Sequence, residues 1–196
     1  MPQHTAVPTL KGLIMSRLSI PAVSDAPAAS KPLLEAVHQK LGVVPNLMKL
    51  LGQSPAALEG YLSLSGALDK GTLDVKLRES LALAVAEFNG CDYCLAAHSY
   101  IGKNLVKLTD DEIAQARDAR ALDVRRAAAL RFAQRVASER GRVQDSDIAA
   151  LRSAGFNDAE TIEIVLHVAL NVLTNYVNNV ARTDVDFPRV SSHTPA

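Results

Sequence analysis

Residues 74–98 read DVKLRESLALAVAEFNGCDYCLAAH, and the punctuation of that stretch decides the fold. Asp74 offers the side-chain oxygen that an N-cap needs. Leu77, Leu81, Ala84, Val85 and Phe88 then recur at three-to-four spacing until Asn89-Gly90 stops the helix. A second helix begins at Cys91. Helices joined by so short a link would pack as an antiparallel pair.

Working outward, the same signals recur. Ser30 before Lys31-Pro32 caps a helix to Leu41 with Gly42 as its stop, and residues 44–51 form a short one. Ser54-Pro55 starts a helix that ends near Lys70-Gly71. Thr109-Asp-Asp-Glu112 is a capping box, Asp123 caps a helix to about Glu139, and Asp145 caps one ending before Gly155. Asn157-Asp-Ala-Glu160 opens the last, which reaches about Ala181. No stretch alternates strictly between apolar and polar, and no Asn-Gly turn is flanked by strand-like runs. The expected class is all-α, with about nine helices in antiparallel pairs.

With 196 residues, 48% of them hydrophobic, the chain can bury one substantial core. Residues 30–188 are expected to form one helical domain, after an irregular lead-in over 1–29 rich in Ala, Pro and Ser, and before a tail over 189–196. Met15 reads as well as a start as Met1 does, which would make 1–14 an extension. Twenty-one Lys and Arg balance 21 Asp and Glu. Zero net charge removes the term that dominates nucleic-acid binding, and it argues equally against an anionic membrane surface. Two cysteines and no signal-peptide core point to the cytoplasm. No G-x-G-x-x-G fingerprint is present, so no flavin, nicotinamide or other cofactor is expected.

Both cysteines fall in Cys91-Asp92-Tyr93-Cys94, with His98 four residues on. At 100° per residue the three lie within about 60° of one another, so two thiols and an imidazole share one stripe. A helix start favours a thiolate, and an imidazole titrating near neutrality can take or return a proton. A carboxylate should orient that imidazole. Glu79 lies eleven residues before Gly90 and His98 eight after, so a fold-back brings them together; Glu87, about one turn from the break, competes.

Glu79, Cys91-x-x-Cys94 and His98 in this spacing resemble the motif of the alkyl hydroperoxidase D (AhpD)-like and carboxymuconolactone decarboxylase superfamily. Gly42-Val-Val-Pro-Asn46, Thr174-Asn-Tyr-Val-Asn-Asn179 and Asp186-Phe-Pro188 are similar to its peroxidase-related subgroup, so the likeness spans about residues 30–188. The resemblance implies an all-helical AhpD-like protomer assembled into trimers or hexamers. It also implies a thiol peroxidase acting on a hydroperoxide and recycled by an external dithiol, lipoyl or thioredoxin-like. By that resemblance Cys94 attacks peroxide, Cys91 resolves it to a disulfide, and Glu79 with His98 forms the proton relay. Some members carry a His immediately before the second cysteine. Here that place is Tyr93, a poor base at neutral pH.

Other readings compete. The cysteines could be small buried hydrophobes, or could join His98 and His167 around a zinc ion, although ligands along one helix seldom close a tetrahedron. A lactone decarboxylase is disfavoured because those relatives do not need the thiol pair, and a non-catalytic redox sensor or scaffold is the third class. Between Ile164 and Ala181 there is no charged residue, yet His167, Asn171, Thr174 and Asn178 form a polar seam within about 60°. A membrane span with that many polar groups is not expected. The seam is expected to meet the thiol pocket or a neighbouring subunit, with His167 and Asn171 hydrogen-bonded. Neutral charge, a mean hydropathy of +0.07 and the apolar Leu58, Tyr61, Leu62 and Leu64 on one helix predict a homo-oligomer.

Overall fold

The structure, a computed structural model, describes residues 16–193; the expected extension over 1–14 and alternative start at Met15 lie outside them. Among these residues there is no strand. Nine α-helices follow in order: α1 Lys31–Leu41, α2 Asn46–Leu51, α3 Pro55–Leu68, α4 Val75–Phe88, α5 Asp92–Ile101, α6 Asp110–Arg117, α7 Val124–Ser138, α8 Asp145–Ser153 and α9 Asp158–Ala181. The fold is all-helical, as the capping pattern predicts.

Most ends are where their caps put them. Ser54 accepts from the Ala57 N–H (3.3 Å), Asp74 from Leu77 (2.9 Å) and Asp123 from Arg126 (2.6 Å). Thr109 with Glu112, and Asn157 with Glu160, close reciprocal capping boxes. Two caps differ. Ser30 makes no capping bond, because it already lies in a 3-10 turn, Ala28–Ser30, one of two such turns in the stretch expected to be irregular. Asp145 sits inside α8; Gln144 is its N-cap, and Asp147 takes the Gln144 N–H at 2.8 Å.

Helix α4 is the axis of the fold and packs against α5, α6, α7 and α9. Covered on so many sides, it buries Leu77 and every residue from Ser80 to Glu87, more than one stripe. Only Phe88, expected in that stripe, is turned out, 39% exposed. Gly90 takes the left-handed backbone (φ 59°) that a turn this tight requires. Beyond α5 the chain continues as a single π-helical stretch, Gly102–Val106. A Cβ at Gly102 would come within 3.6 Å of Glu79 Cγ and 3.2 Å of Leu108, so glycine lets α5 end close against α4.

Helix α9 reverses the usual amphipathic arrangement. His167, Asn171, Thr174, Asn175 and Asn178 are buried, while Ile162, Tyr176 and Val180 are 61%, 57% and 62% exposed. After α9 the chain crosses back over the start of α5. The part of the expected tail that is described is tied down there, the Ser192 N–H donating to Asp92 and the His193 N–H to Glu87.

Candidate active site

The α4–α5 hairpin assembles the site. Glu79 and His98 meet at 2.7 Å, His98 Nδ1–H donating to Glu79 Oε1, which requires the two helices to run antiparallel around Asn89-Gly90. Cys91 is the N-cap of α5. Its sulfur accepts the Cys94 N–H at 3.3 Å, and its thiol donates to the Cys94 sulfur, Sγ to Sγ 2.6 Å. Both cysteines are free thiols and buried. His98 follows Cys94 by four residues, so the imidazole stands one turn along the same face.

The two sulfurs are electrostatically unequal. Burial pushes the Cys94 thiol up, but the Cys91 S–H, the His98 charge and the amides of Asn178 and Asn175 together outweigh it and bring it down to about 7. Cys91 moves the other way: its hydrogen bond to Cys94, its burial and the adjacent Cys94 charge all hold its proton on. For His98, burial pulls down, yet the charge and hydrogen bond of Glu79 and then the charge of Cys94 carry it above the ordinary imidazole value. The arrangement favours a thiolate on Cys94, a thiol on Cys91 and an imidazolium on His98.

Helix α9 closes the other side of Cys94. Asn178 Nδ2 donates to the sulfur at 3.2 Å. Asn175 Oδ1 accepts from Asn89 Nδ2 at 2.9 Å, and the Asn89 carbonyl accepts from Asn179 Nδ2 at 2.9 Å. From α3, Tyr61 stands within electrostatic range: burial first and the Cys94 charge second push its phenol up to about 12. The polar seam, expected to meet the thiol pocket or a neighbouring subunit, reaches the sulfur through Asn178, while the spacing alone does not say which member makes the contact.

The remaining predicted residues do other things. Glu87 does not reach His98; it pairs with Arg117 Nε (2.7 Å) and accepts the His193 N–H (2.6 Å), contacts 30 and 106 residues away in sequence that no local pattern reveals. Tyr93 ties the start of α5 to two distant segments. Its hydroxyl donates to Asp186 Oδ1 (2.9 Å) and accepts the Leu47 N–H (3.1 Å), its ring meets Phe187 edge-on, and burial pushes its phenol up. Asp186 also accepts the Asn46 N–H (2.8 Å), so the Gly42–Asn46 and Asp186–Pro188 motifs meet at Tyr93.

His167 and Asn171 are on the seam but away from the sulfur, about 16 and 10 Å from Asn178 along the helix axis at the α-helical rise. The Asn171 amide donates to the His167 carbonyl of its own helix (2.8 Å). His167 Nε2 is buried without a partner, and burial, then the Arg78 charge, pull the imidazole down. Among the described residues no three His, Cys, Asp or Glu side chains converge as metal ligands, so His167 does not join the cysteines. No helix among them is long and apolar enough to cross a membrane.

The family model of the carboxymuconolactone decarboxylase family matches residues 55–139, the stretch that carries Glu79, both cysteines and His98. Among solved structures, the chain is similar to an uncharacterized peroxidase-related protein from Ralstonia eutropha JMP134, described as an alkylhydroperoxidase AhpD core. The two are 28% identical over 88% of this chain and 93% of the other, with a TM-score of 0.78. An uncharacterized peroxidase-related protein from Silicibacter sp. TM1040 is 25% identical over 90% and 94%, TM-score 0.76. The debrominase Bmp8, in complex with 2,3,4-tribromopyrrole, shares the fold at 20% identity over 90% and 93%, TM-score 0.70. No curated protein matches the sequence.

Proposed function

As a member of the carboxymuconolactone decarboxylase superfamily with the AhpD-like fold, this chain, we propose, is a thiol-dependent hydroperoxide reductase. The observation that carries the reading is a buried Cys94 sulfur that accepts the Cys91 thiol at 2.6 Å, one helical turn from an imidazole held by Glu79 at 2.7 Å. A lactone decarboxylase needs neither thiol, and a purely structural cysteine pair needs no oriented histidine.

The residues divide the work as follows. The Cys94 thiolate attacks the terminal oxygen of the hydroperoxide, the O–O bond breaks, and His98 gives its proton to the departing alkoxide, leaving an alcohol and a sulfenic acid on Cys94. Cys91, already in contact, attacks the Cys94 sulfur; its proton leaves with the hydroxyl as water, and a disulfide forms across one turn. An external dithiol, lipoyl or thioredoxin-like, reduces that disulfide. Of its two protons, one returns to Cys91 and one to His98, and Cys94 is again a thiolate. Glu79 fixes the imidazole tautomer and supports its charge in the resting state. Such a cycle needs a reducing compartment, in keeping with the cytoplasm.

Self-association belongs to this reading as well. The apolar face that α9 turns outward, with Ile162, Tyr176 and Val180, is the surface on which copies would join; Leu58, expected to contribute, is fully buried within the protomer. Light scattering at micromolar concentration should give a multiple of the 20.9 kDa chain mass. A monomer would contradict it.

Rapid mixing of the fully reduced protein with hydrogen peroxide or an organic hydroperoxide tests the enzymatic reading. One equivalent should be consumed per protomer, with both thiols lost from titration, and continued turnover should follow with dihydrolipoamide or reduced thioredoxin. Full recovery of both thiols after excess peroxide would overturn it.

A further inference from the structure

Cys94 lies between two helices of different chemistry, and α9 presents it with amides alone. Asn178 is 2% exposed and donates Nδ2 to the sulfur at 3.2 Å, while its own Oδ1 has no partner. A buried amide oxygen without a donor is costly, so something must hold the amide this way round. Rotating it by half a turn would set Oδ1 against the sulfur and strand Nδ2 instead. The observed orientation is therefore the one suited to a sulfur that carries negative charge.

Asn175, fully buried, repeats the pattern through an intermediary. Asn89 Nδ2 donates to its Oδ1 at 2.9 Å, while its own Nδ2 is buried without a hydrogen-bond partner and favours the charged form of Cys94 from beyond hydrogen-bond distance. Asn89 is itself held by Asn179, whose Nδ2 donates to the Asn89 carbonyl. Positions 175, 178 and 179 share one helical face by their three-and-four spacing. Asn89 belongs to the turn that ends α4 and admits α5, so the residue that reverses the chain also fixes which end of the Asn175 amide is left over.

We propose that Asn178 and Asn175 form a neutral amide clamp that holds Cys94 as the reacting thiolate, with Asn89 as the positioning residue that orients Asn175. The clamp's purpose rests on the peroxidase reading. Its consequence differs from that of His98 because an amide neither gains nor loses a proton in the working range. Loss of the clamp moves the pH at which Cys94 ionises, and added base restores the thiolate. Loss of His98 removes a proton donor that added base cannot restore.

The test is the pH profile of iodoacetamide alkylation of reduced, full-length protein, read at each cysteine by peptide mass spectrometry. Asn178→Ala should raise the Cys94 midpoint by about one unit, slowing alkylation about fivefold at pH 7 and leaving it at the parent rate near pH 9.5. Asn89→Ala, at a half-buried turn, should shift the midpoint in the same direction by less, and it decides the matter if Asn178→Ala loses its helical circular dichroism. Asn171→Leu, on the same seam but bonded to its own helix, should leave the profile unchanged. Parent-like profiles for both Asn178→Ala and Asn89→Ala would overturn the clamp. Shifted profiles in a protein that consumes no peroxide would instead overturn the peroxidase reading and leave the clamp standing.

Discussion

The two sides of Cys94 are built from opposite kinds of group. From α4 and α5 come Glu79, His98 and Cys91, each able to exchange a proton; from α9 come Asn175 and Asn178, which cannot. In the proposed cycle one side moves protons and the other fixes charge. A sulfur at 3% exposure needs both, since burial alone would keep its proton on and make it inert.

The sharpest way to break this division is at the sulfurs. Cys94→Ser should abolish peroxide consumption, whereas Cys91→Ser should still react once and leave a sulfenic acid on Cys94 that dimedone traps, as mass spectrometry would detect. Sulfenic acid on Cys91 in Cys94→Ser would exchange their roles.

On the proton-moving side, His98→Ala should slow the peroxide reaction roughly 10²-fold, within the range of general acid catalysis. With Cys94 brought down to about 7 and His98 carried above its ordinary value, the parent rate should rise as pH climbs through about 7 and fall again once the imidazolium is lost. In His98→Ala the descending limb should vanish and no pH should recover the parent maximum. Glu79→Gln should keep the bell shape but move its descending limb to lower pH, with roughly a tenfold loss, because the imidazole remains without the carboxylate that raises it. A stopped-flow pH profile checks both.

The smallest effect on chemistry should come from Tyr93→Phe, although the residue sits between the two cysteines in sequence. Removing the hydroxyl strands the buried Leu47 N–H and one Asp186 oxygen, at a cost of about 1–3 kcal/mol in urea unfolding. The Cys94 alkylation profile should not move. If it does, Tyr93 belongs to the site and not only to this tie between segments.

What the sequence makes legible follows from the range of the interactions. Caps at Ser54, Asp74, Thr109, Asp123 and Asn157 act within three residues, so each reads directly. The Glu79–His98 meeting is nearly as local, because a two-residue turn leaves little freedom; the alternative at Glu87 is settled only by Arg117 and the returning C-terminal stretch. Residues on α9 are the opposite case. A polar seam normally marks the wet face of a helix, and here it is the dry one, with Asn178 spent on a sulfur 84 residues away and Asn171 on its own backbone. Periodicity locates such a seam and the absence of charged residues points it inward, but neither says which of its members reaches the sulfur. The π-helical stretch at Gly102–Val106 likewise has no local signature.

The most direct measurement is site-resolved alkylation of the reduced parent protein across pH 5 to 10, with each cysteine followed separately. Cys94 should react first, with a midpoint near 7, and Cys91 should stay unmodified until the pH is well above that of an ordinary thiol. Faster reaction at Cys91, or a Cys94 midpoint at the ordinary thiol value of about 8.5 or higher, would contradict a charged sulfur held between a proton-moving face and an amide face.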